Sequence, residues 1–296
     1  VITKKDFKLE FGDIVERSLT DGDIVLLNRQ PTLHRGSMLA QKIIVRPYKT
    51  FRLNLAITKT FNADFDGDEM NIHVPASIPS EVELRQIVST SHNVISPQSS
   101  KPNIAIVQDG LLGAYLMTRE NNNLSKNTFF SLIESIDNRT IHQLLDKIDY
   151  NIKVLKELNL DMNIYTTKGL VSMLLPDDFN YIRKNNANSK EPVLKIYKGL
   201  LYQGTINKSI IGSSHNSIIQ VLYKEYGNDI ALDFINNIQF LSYKFLMYHG
   251  FTVGISDCIA TKSKEITHVI TRCFIEAKGN EDNIIDPKIC DIKVND

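Results

Sequence analysis

The chain has 296 residues, with 34 Lys+Arg against 34 Asp+Glu, 42% hydrophobic and 23% charged residues, and a formal net charge of zero. This composition excludes wholesale disorder and supports about two domains with their own cores. No run approaches the about 18 apolar residues of a membrane span, and the scattered Cys258, Cys273 and Cys290 form neither a disulfide framework nor a zinc ribbon. A reducing compartment suits such cysteines. The first residues, Val1-Ile2-Thr3-Lys4-Lys5, carry neither an initiator Met nor a signal-peptide core, and read as an internal piece of a longer polypeptide. Ile and Asn supply about a fifth of the chain, which points to an AT-rich genome.

In chain order, residues 12–75 read as short strands with turn punctuation. Ile24-Val25-Leu26-Leu27 is continuously apolar, Met38 to Val45 is a longer run, and Phe51 to Ile57 alternates like a half-buried strand. Ile72-His73-Val74 is stopped by Pro75. Short strands without long intervening helices predict a compact β-barrel. From Ser80 the period changes: Ser80 and Glu83 have the spacing of a capping box. A helix is predicted over 108–117, with Leu111, Leu112, Tyr115 and Leu116 on one side. Asn121-Asn122-Asn123 reads as a linker and a domain boundary. Helices follow over 127–136, 140–148 and 167–175, then short strands over 181–211 around the polar Asn185-Asn186-Ala187-Asn188-Ser189. Two helices near 214–226 and 229–248 end at Gly227 and Gly250, and a last one starts near Ser263. The apolar stripes of the long helices predict core packing.

Two local features carry chemistry. Between Asp23 and Asp64 there is no acidic residue, whereas Arg29, Arg35, Lys42, Arg46, Lys49, Arg52 and Lys59 all fall there. Directly after it comes Asp64-Phe65-Asp66-Gly67-Asp68-Glu69. A basic stretch leading into an acidic knot suits phosphate handling beside a cation, or two unrelated solvated surfaces. Asp64, Asp66 and Asp68 stand at i, i+2 and i+4, which share a face on a bent strand but not on a helix. Gly67 permits the bend, and Phe65 is predicted to point into the barrel core. Two unit charges about 5 Å apart repel by about 3 kcal/mol at an effective dielectric of about 20. A divalent cation relieves that repulsion, and oxygen-only ligands favour Mg²⁺, Mn²⁺ or Ca²⁺ over zinc. An EF-hand does not fit: counted from Asp64, the fourth residue is Gly67 and the twelfth is Pro75. A solvated Asp-rich turn is the remaining alternative, and His73 nearby reads as structural.

Asn62-Ala63-Asp64-Phe65-Asp66-Gly67-Asp68, with Met70-Asn71 and His73, resembles the active-site signature of the largest subunit of multisubunit DNA-directed RNA polymerases. Asn28-Arg29-Gln30-Pro31-Thr32-Leu33-His34-Arg35 and Thr50-Phe51-Arg52-Leu53-Asn54 extend the resemblance upstream. Ser96-Pro97-Gln98, Lys101-Pro102, Val107-Gln108-Asp109 and His249-Gly250-Phe251-Thr252-Val253-Gly254-Ile255-Ser256-Asp257 extend it downstream. The flavour is eukaryotic-like, and the Asn/Ile-rich middle suits a large DNA virus.

The resemblance implies an α+β chain: a catalytic double-psi β-barrel domain with its following helices over 1–120, then a mainly helical pore region with short strands over 121–260. The start of a funnel region follows over 261–296. It implies that Asp64, Asp66 and Asp68 hold the catalytic Mg²⁺. It implies further that Arg29 and Asn62 contact the sugar of the incoming nucleotide, and that Pro31 shapes that contact. The implied partners are a DNA template, nascent RNA, NTPs, the second-largest subunit and other polymerase subunits, with no membrane. The implied location is intracellular: the nucleus if the source is cellular, a cytoplasmic factory or virion if viral. A non-catalytic metal-binding scaffold built on the same barrel is the competing reading. A stand-alone phosphohydrolase would need a general base that the sequence does not offer.

Overall fold

Strand β1, Ile24–Asn28, forms on the continuous apolar run and buries both faces. It is the centre of a three-stranded antiparallel sheet, flanked by β2 (Met38–Lys42) and β3 (Asn71–His73). The register sets Asn28 opposite Met38 on one side and Asn71 on the other. This computed structural model describes residues 10–119, 121–134, 136, 139–184 and 192–282. The polar run at 185–189 lies outside the described residues.

The strand predicted over Phe51 to Ile57 is not one. The chain is extended only as far as Asn54, whose side chain accepts the Ala56 amide at 2.9 Å and caps helix α1, Leu55–Phe61. An Asn N-cap satisfies an orphan donor that a strand would leave open. It also sets Ala56, Ile57, Thr60 and Phe61 on one buried helical face. The Ser80 capping box is likewise displaced. Ser77 caps helix α2, Ile78–Glu83, accepting the Ser80 amide at 3.4 Å, and a π-helical turn over Leu84–Val88 follows.

Beyond the sheet come α3 (Gln108–Arg119), α4 (Lys126–Ile133), α5 (Ile141–Glu157) and α6 (Thr167–Ser172). Thr140 and Gln143 form a reciprocal capping box on α5. Its buried Leu144, Ile148, Val154 and Leu155 recur at helical spacing, each worth about 1.5–3 kcal/mol when fully buried. A second antiparallel sheet joins β4 (Tyr181–Arg183), β5 (Leu194–Tyr197) and β6 (Leu200–Gln203) in that order. The short α7 (Lys208–Ile211), then α8 (Ile218–Tyr226) and α9 (Asn228–His249), complete this part. The architecture is α+β, and among the described residues the strands form two small sheets. Among the described residues a large hydrophobic core runs from Leu27 and Phe61 through Phe129 and Phe179 to Phe245, and a small cluster of Ile24, Ala40 and Leu84 is separate from it.

Helix α3 buries a different face from the one its leucines predict. Gly110, Gly113, Ala114 and Met117 are inside, while Leu111, Leu112, Tyr115 and Leu116 are half-buried. The reason is close approach to α9: a Cβ added at Gly113 would lie 2.7 Å from the Cβ and the carbonyl oxygen of Ser242. Small residues let the two helices meet backbone to backbone, and the larger apolar side chains are displaced to the flanks.

The chain divides into two units, the second beginning at Gly250. It contains a 3-10 turn, Ile255–Cys258, held by the Gly254 amide donating to the Asp257 carboxylate at 2.8 Å. Helix α10, Ser263–Asp282, follows. Its Ile266, Val269, Ile270, Phe274 and Ile275 recur at helical spacing and are exposed, contrary to the burial their stripe predicts. Among the described residues no helix is long and apolar enough to cross a membrane.

Candidate metal centre

The acidic knot sits on a bent loop, residues 62–70, between α1 and β3 rather than on a strand. Asn62 ends α1 in the left-handed conformation, φ 49° and ψ 39°, which Asn tolerates better than most residues. The Ala63 amide then donates to the Thr58 carbonyl at 3.0 Å. Gly67 has φ 118°, and a Cβ there would meet nothing within 4 Å. Its requirement is therefore conformational, not spatial. Phe65 does not enter the core: it is 68% exposed, because it lies on the loop and not on a strand whose face packs inward.

The bend brings one carboxylate oxygen each from Asp64, Asp66 and Asp68 within 4.8 Å of one another, and all three residues are exposed. An oxygen-coordinated cation with bonds of about 2.0–2.6 Å spans about 4–5 Å between opposite ligands, so the spacing suits a hard divalent ion. The loop opens on a cleft of about 530 Å³ whose walls include Lys49, Phe51, Asp64, Asp68 and Glu69.

Arg29, the residue after β1, reaches the third carboxylate. Its Nε donates to Asp68 Oδ2 at 2.8 Å and its Nη2 to Oδ1 at 3.2 Å, while Nη1 donates to the Phe61 carbonyl at 3.4 Å. The Asp64 amide donates to Asp68 Oδ2 at 3.2 Å. These contacts divide the triad electrostatically. The guanidinium, then the Asp64 amide, hold the Asp68 carboxyl below the usual carboxylate range. Asp66, by contrast, is pushed above that range by its hydrogen bond to Asp64 and by the Asp64 charge. One carboxylate of the triad is paired with an arginine, while Asp66 is crowded by Asp64.

Asn62 and Pro31 stand apart from these contacts. Both are exposed, Pro31 after a cis Gln30–Pro31 bond, and neither is among the residues lining the cleft. The pairing of Arg29 with Asp68 is not visible in the sequence, since 39 positions separate the two. Lys49 was legible only as one member of the basic run.

Fold and site thus define an α+β protein carrying a loop of three converging carboxylates. The family model for RNA polymerase Rpb1, domain 3, matches residues 93–258, and the model for RNA polymerase Rpb1, domain 2, matches residues 1–90. A probable DNA-directed RNA polymerase II subunit RPB1 homolog from Invertebrate iridescent virus 6 is 42% identical over 286 residues, which is 93% of this chain and 27% of that protein. DNA-directed RNA polymerase II subunits RPB1-A and RPB1-B from Trypanosoma brucei brucei are each 39% identical over 256 residues, which is 85% of this chain and 14% of theirs. The chain belongs to the Rpb1 family and corresponds to part of the largest RNA polymerase subunit.

Proposed function

We propose that this chain supplies the catalytic cation site of a DNA-directed RNA polymerase, with Asp64, Asp66 and Asp68 as the protein ligands of Mg²⁺. The observation that carries the proposal is the convergence of three exposed carboxylates in a chain of the Rpb1 family. A bound Mg²⁺ would lower the pKa of the RNA 3′-hydroxyl and balance charge on the α-phosphate of the incoming nucleotide. The chain's own part is positioning. Asp66, crowded by Asp64, has the most repulsion to relieve on ion binding, whereas Asp68 is already fixed by Arg29.

Asn62 faces solvent at the start of the loop, and its amide can both donate to and accept from a ribose hydroxyl. Arg29 spends three N–H groups on Asp68 and Phe61, leaving two of its five donors for the same sugar. Pro31 would shape that contact. The β1–β3 sheet and its loop would belong to a double-psi β-barrel within 1–120, with the pore region over 121–260 and the start of the funnel over 261–296. DNA template, nascent RNA, NTPs, the second-largest subunit and the remaining subunits would be the partners. An intracellular setting is supported by Cys258 and Cys273, which are exposed free thiols.

The test is Asp66→Ala in the assembled polymerase. RNA synthesis should fall by several orders of magnitude, and Mn²⁺ binding followed by electron paramagnetic resonance should be lost with it. Wild-type Mn²⁺ binding in the variant would refute the assignment.

A further inference from the structure

Arg29 does more than neutralise charge. A lysine in its place would supply the same positive charge, but not a planar fork that grips both oxygens of one carboxylate while a third donor reaches a helix end. The two Asp68 contacts are 2.8 Å and 3.2 Å, and the third ties the same guanidinium to the last residue of α1. Each carboxylate oxygen has two lone pairs. Oδ2 accepts from both Arg29 and the Asp64 amide, so its capacity is filled, whereas Oδ1 accepts from Arg29 alone. Asp68 is thereby left one free acceptor position.

Both ends of this link rest on regular structure. Arg29 follows directly on Asn28, which the register sets opposite Asn71, three residues past Asp68. The fork thus joins the end of β1, the end of α1 and the loop that β3 terminates. Two opposing effects on a cation follow. The guanidinium charge repels it, while the fixed carboxylate spares it the cost of ordering a ligand. Partners that hold a ligating carboxylate are typically worth about 10- to 100-fold in metal affinity. The guanidinium charge is already paired with Asp68 through two hydrogen bonds, which cancels most of its repulsion of a cation, so the ordering effect wins.

We infer that Arg29 is a positioning residue of the cation site: it orders Asp68 so that a single Oδ1 position is presented to a divalent cation. This role adds to the sugar contact and rests on the reading of the loop as the Mg²⁺ site. The experiment uses the assembled polymerase with Fe²⁺ as the probe. Hydroxyl radicals formed at the bound ion cleave the chain near residues 62–70, and Mg²⁺ competition gives its affinity without any nucleotide turnover. Arg29→Lys keeps the charge and loses the fork, while Arg29→Gln loses the charge and keeps a donor. Both should weaken Mg²⁺ competition by about tenfold or more, with assembly and melting temperature checked in parallel. Unchanged competition in Arg29→Lys, with or without tighter binding in Arg29→Gln, would reduce Arg29 to a counter-charge and overturn the inference. Absence of local cleavage in the wild type would overturn the cation-site reading itself, and the two failures are distinguishable.

Discussion

Asn62 has two properties that a substitution can separate: a left-handed backbone and an exposed amide that accepts or donates nothing in a described hydrogen bond. Asn62→Ala would remove the amide and add about 1–2 kcal/mol of backbone strain. Asn62→Gly removes the amide while leaving the left-handed turn at ease. In the assembled polymerase, Asn62→Gly should lower incorporation of ribonucleotides more than of 2′-deoxyribonucleotides. Losing one hydrogen bond to a hydroxyl shrinks the preference by about 1–3 kcal/mol, or roughly 5- to 150-fold. Single-nucleotide incorporation with matched triphosphates measures it, and equal losses for both sugars would leave Asn62 a helix cap only. The i, i+2, i+4 spacing of the aspartates made their convergence legible before any fold was known. The exposure of Phe65 and the Arg29–Asp68 fork were not, because each depends on how the loop bends against β1, and no local pattern encodes that.

Among the elements, α3 and α9 show where hydrophobic periodicity misleads. Counting apolar residues places Leu111, Leu112, Tyr115 and Leu116 inward, whereas Gly110, Gly113 and Ala114 are the buried ones, and Gly110 and Gly113 lie against α9. A glycine carries no hydrophobic signal, yet it permits the closest approach. Gly113→Ala tests this with a clear sign. In an isolated helix the change would stabilise by about 1 kcal/mol. Here the new methyl meets the Ser242 backbone at 2.7 Å, and overpacking costs about 1–3 kcal/mol. Thermal melting should therefore show a drop of a few degrees, and a rise would mean that α9 can retreat freely. Helix α1 teaches a related lesson. The alternation from Phe51 looked like a strand, but one capping side chain at Asn54 decided the matter. Long helices such as α9 and the capped α5 were legible as elements, though α5 runs on to Glu157, beyond its predicted end at 148.

For the molecule as a whole, the decisive fact is openness. Asp64, Asp66 and Asp68 are all exposed, and their cleft of about 530 Å³ has Lys49 as its one basic wall residue among those described. A triphosphate carries more negative charge than one lysine balances, and electrostatic stabilisation in nucleotidyl transfer needs a water-excluded site. The chain alone spans 27% of its viral relative and 14% of the trypanosomal ones. The isolated 296-residue chain should therefore show no template-dependent extension of an RNA primer, at any Mg²⁺ concentration. A primer-extension gel decides it, and robust synthesis would mean that the missing cations and closure are already present. The class of fold, α+β, came with the resemblance carried by the motifs, whereas the element pattern of residues 12–75 by itself pointed to a β-barrel. The continuity of the large core across Asn121–Asn123 was not legible, because a polar run marks a connection in sequence without saying whether the core is interrupted there.

The pairing of Asn28 with Asn71 also decides what a change of length in this segment would do. Residues 62–70 bridge a gap whose two margins are fixed, one by the end of α1 and one by the register of β3. Exchange of a residue alters one address on that bridge. An insertion or deletion moves every later address, and if β3 absorbs the shift, Ile72 turns from the core side to the other face. Arg29 would then face a different residue from Asp68. The segment is a ruler as well as a set of carboxylates, because its length decides which residue meets Arg29.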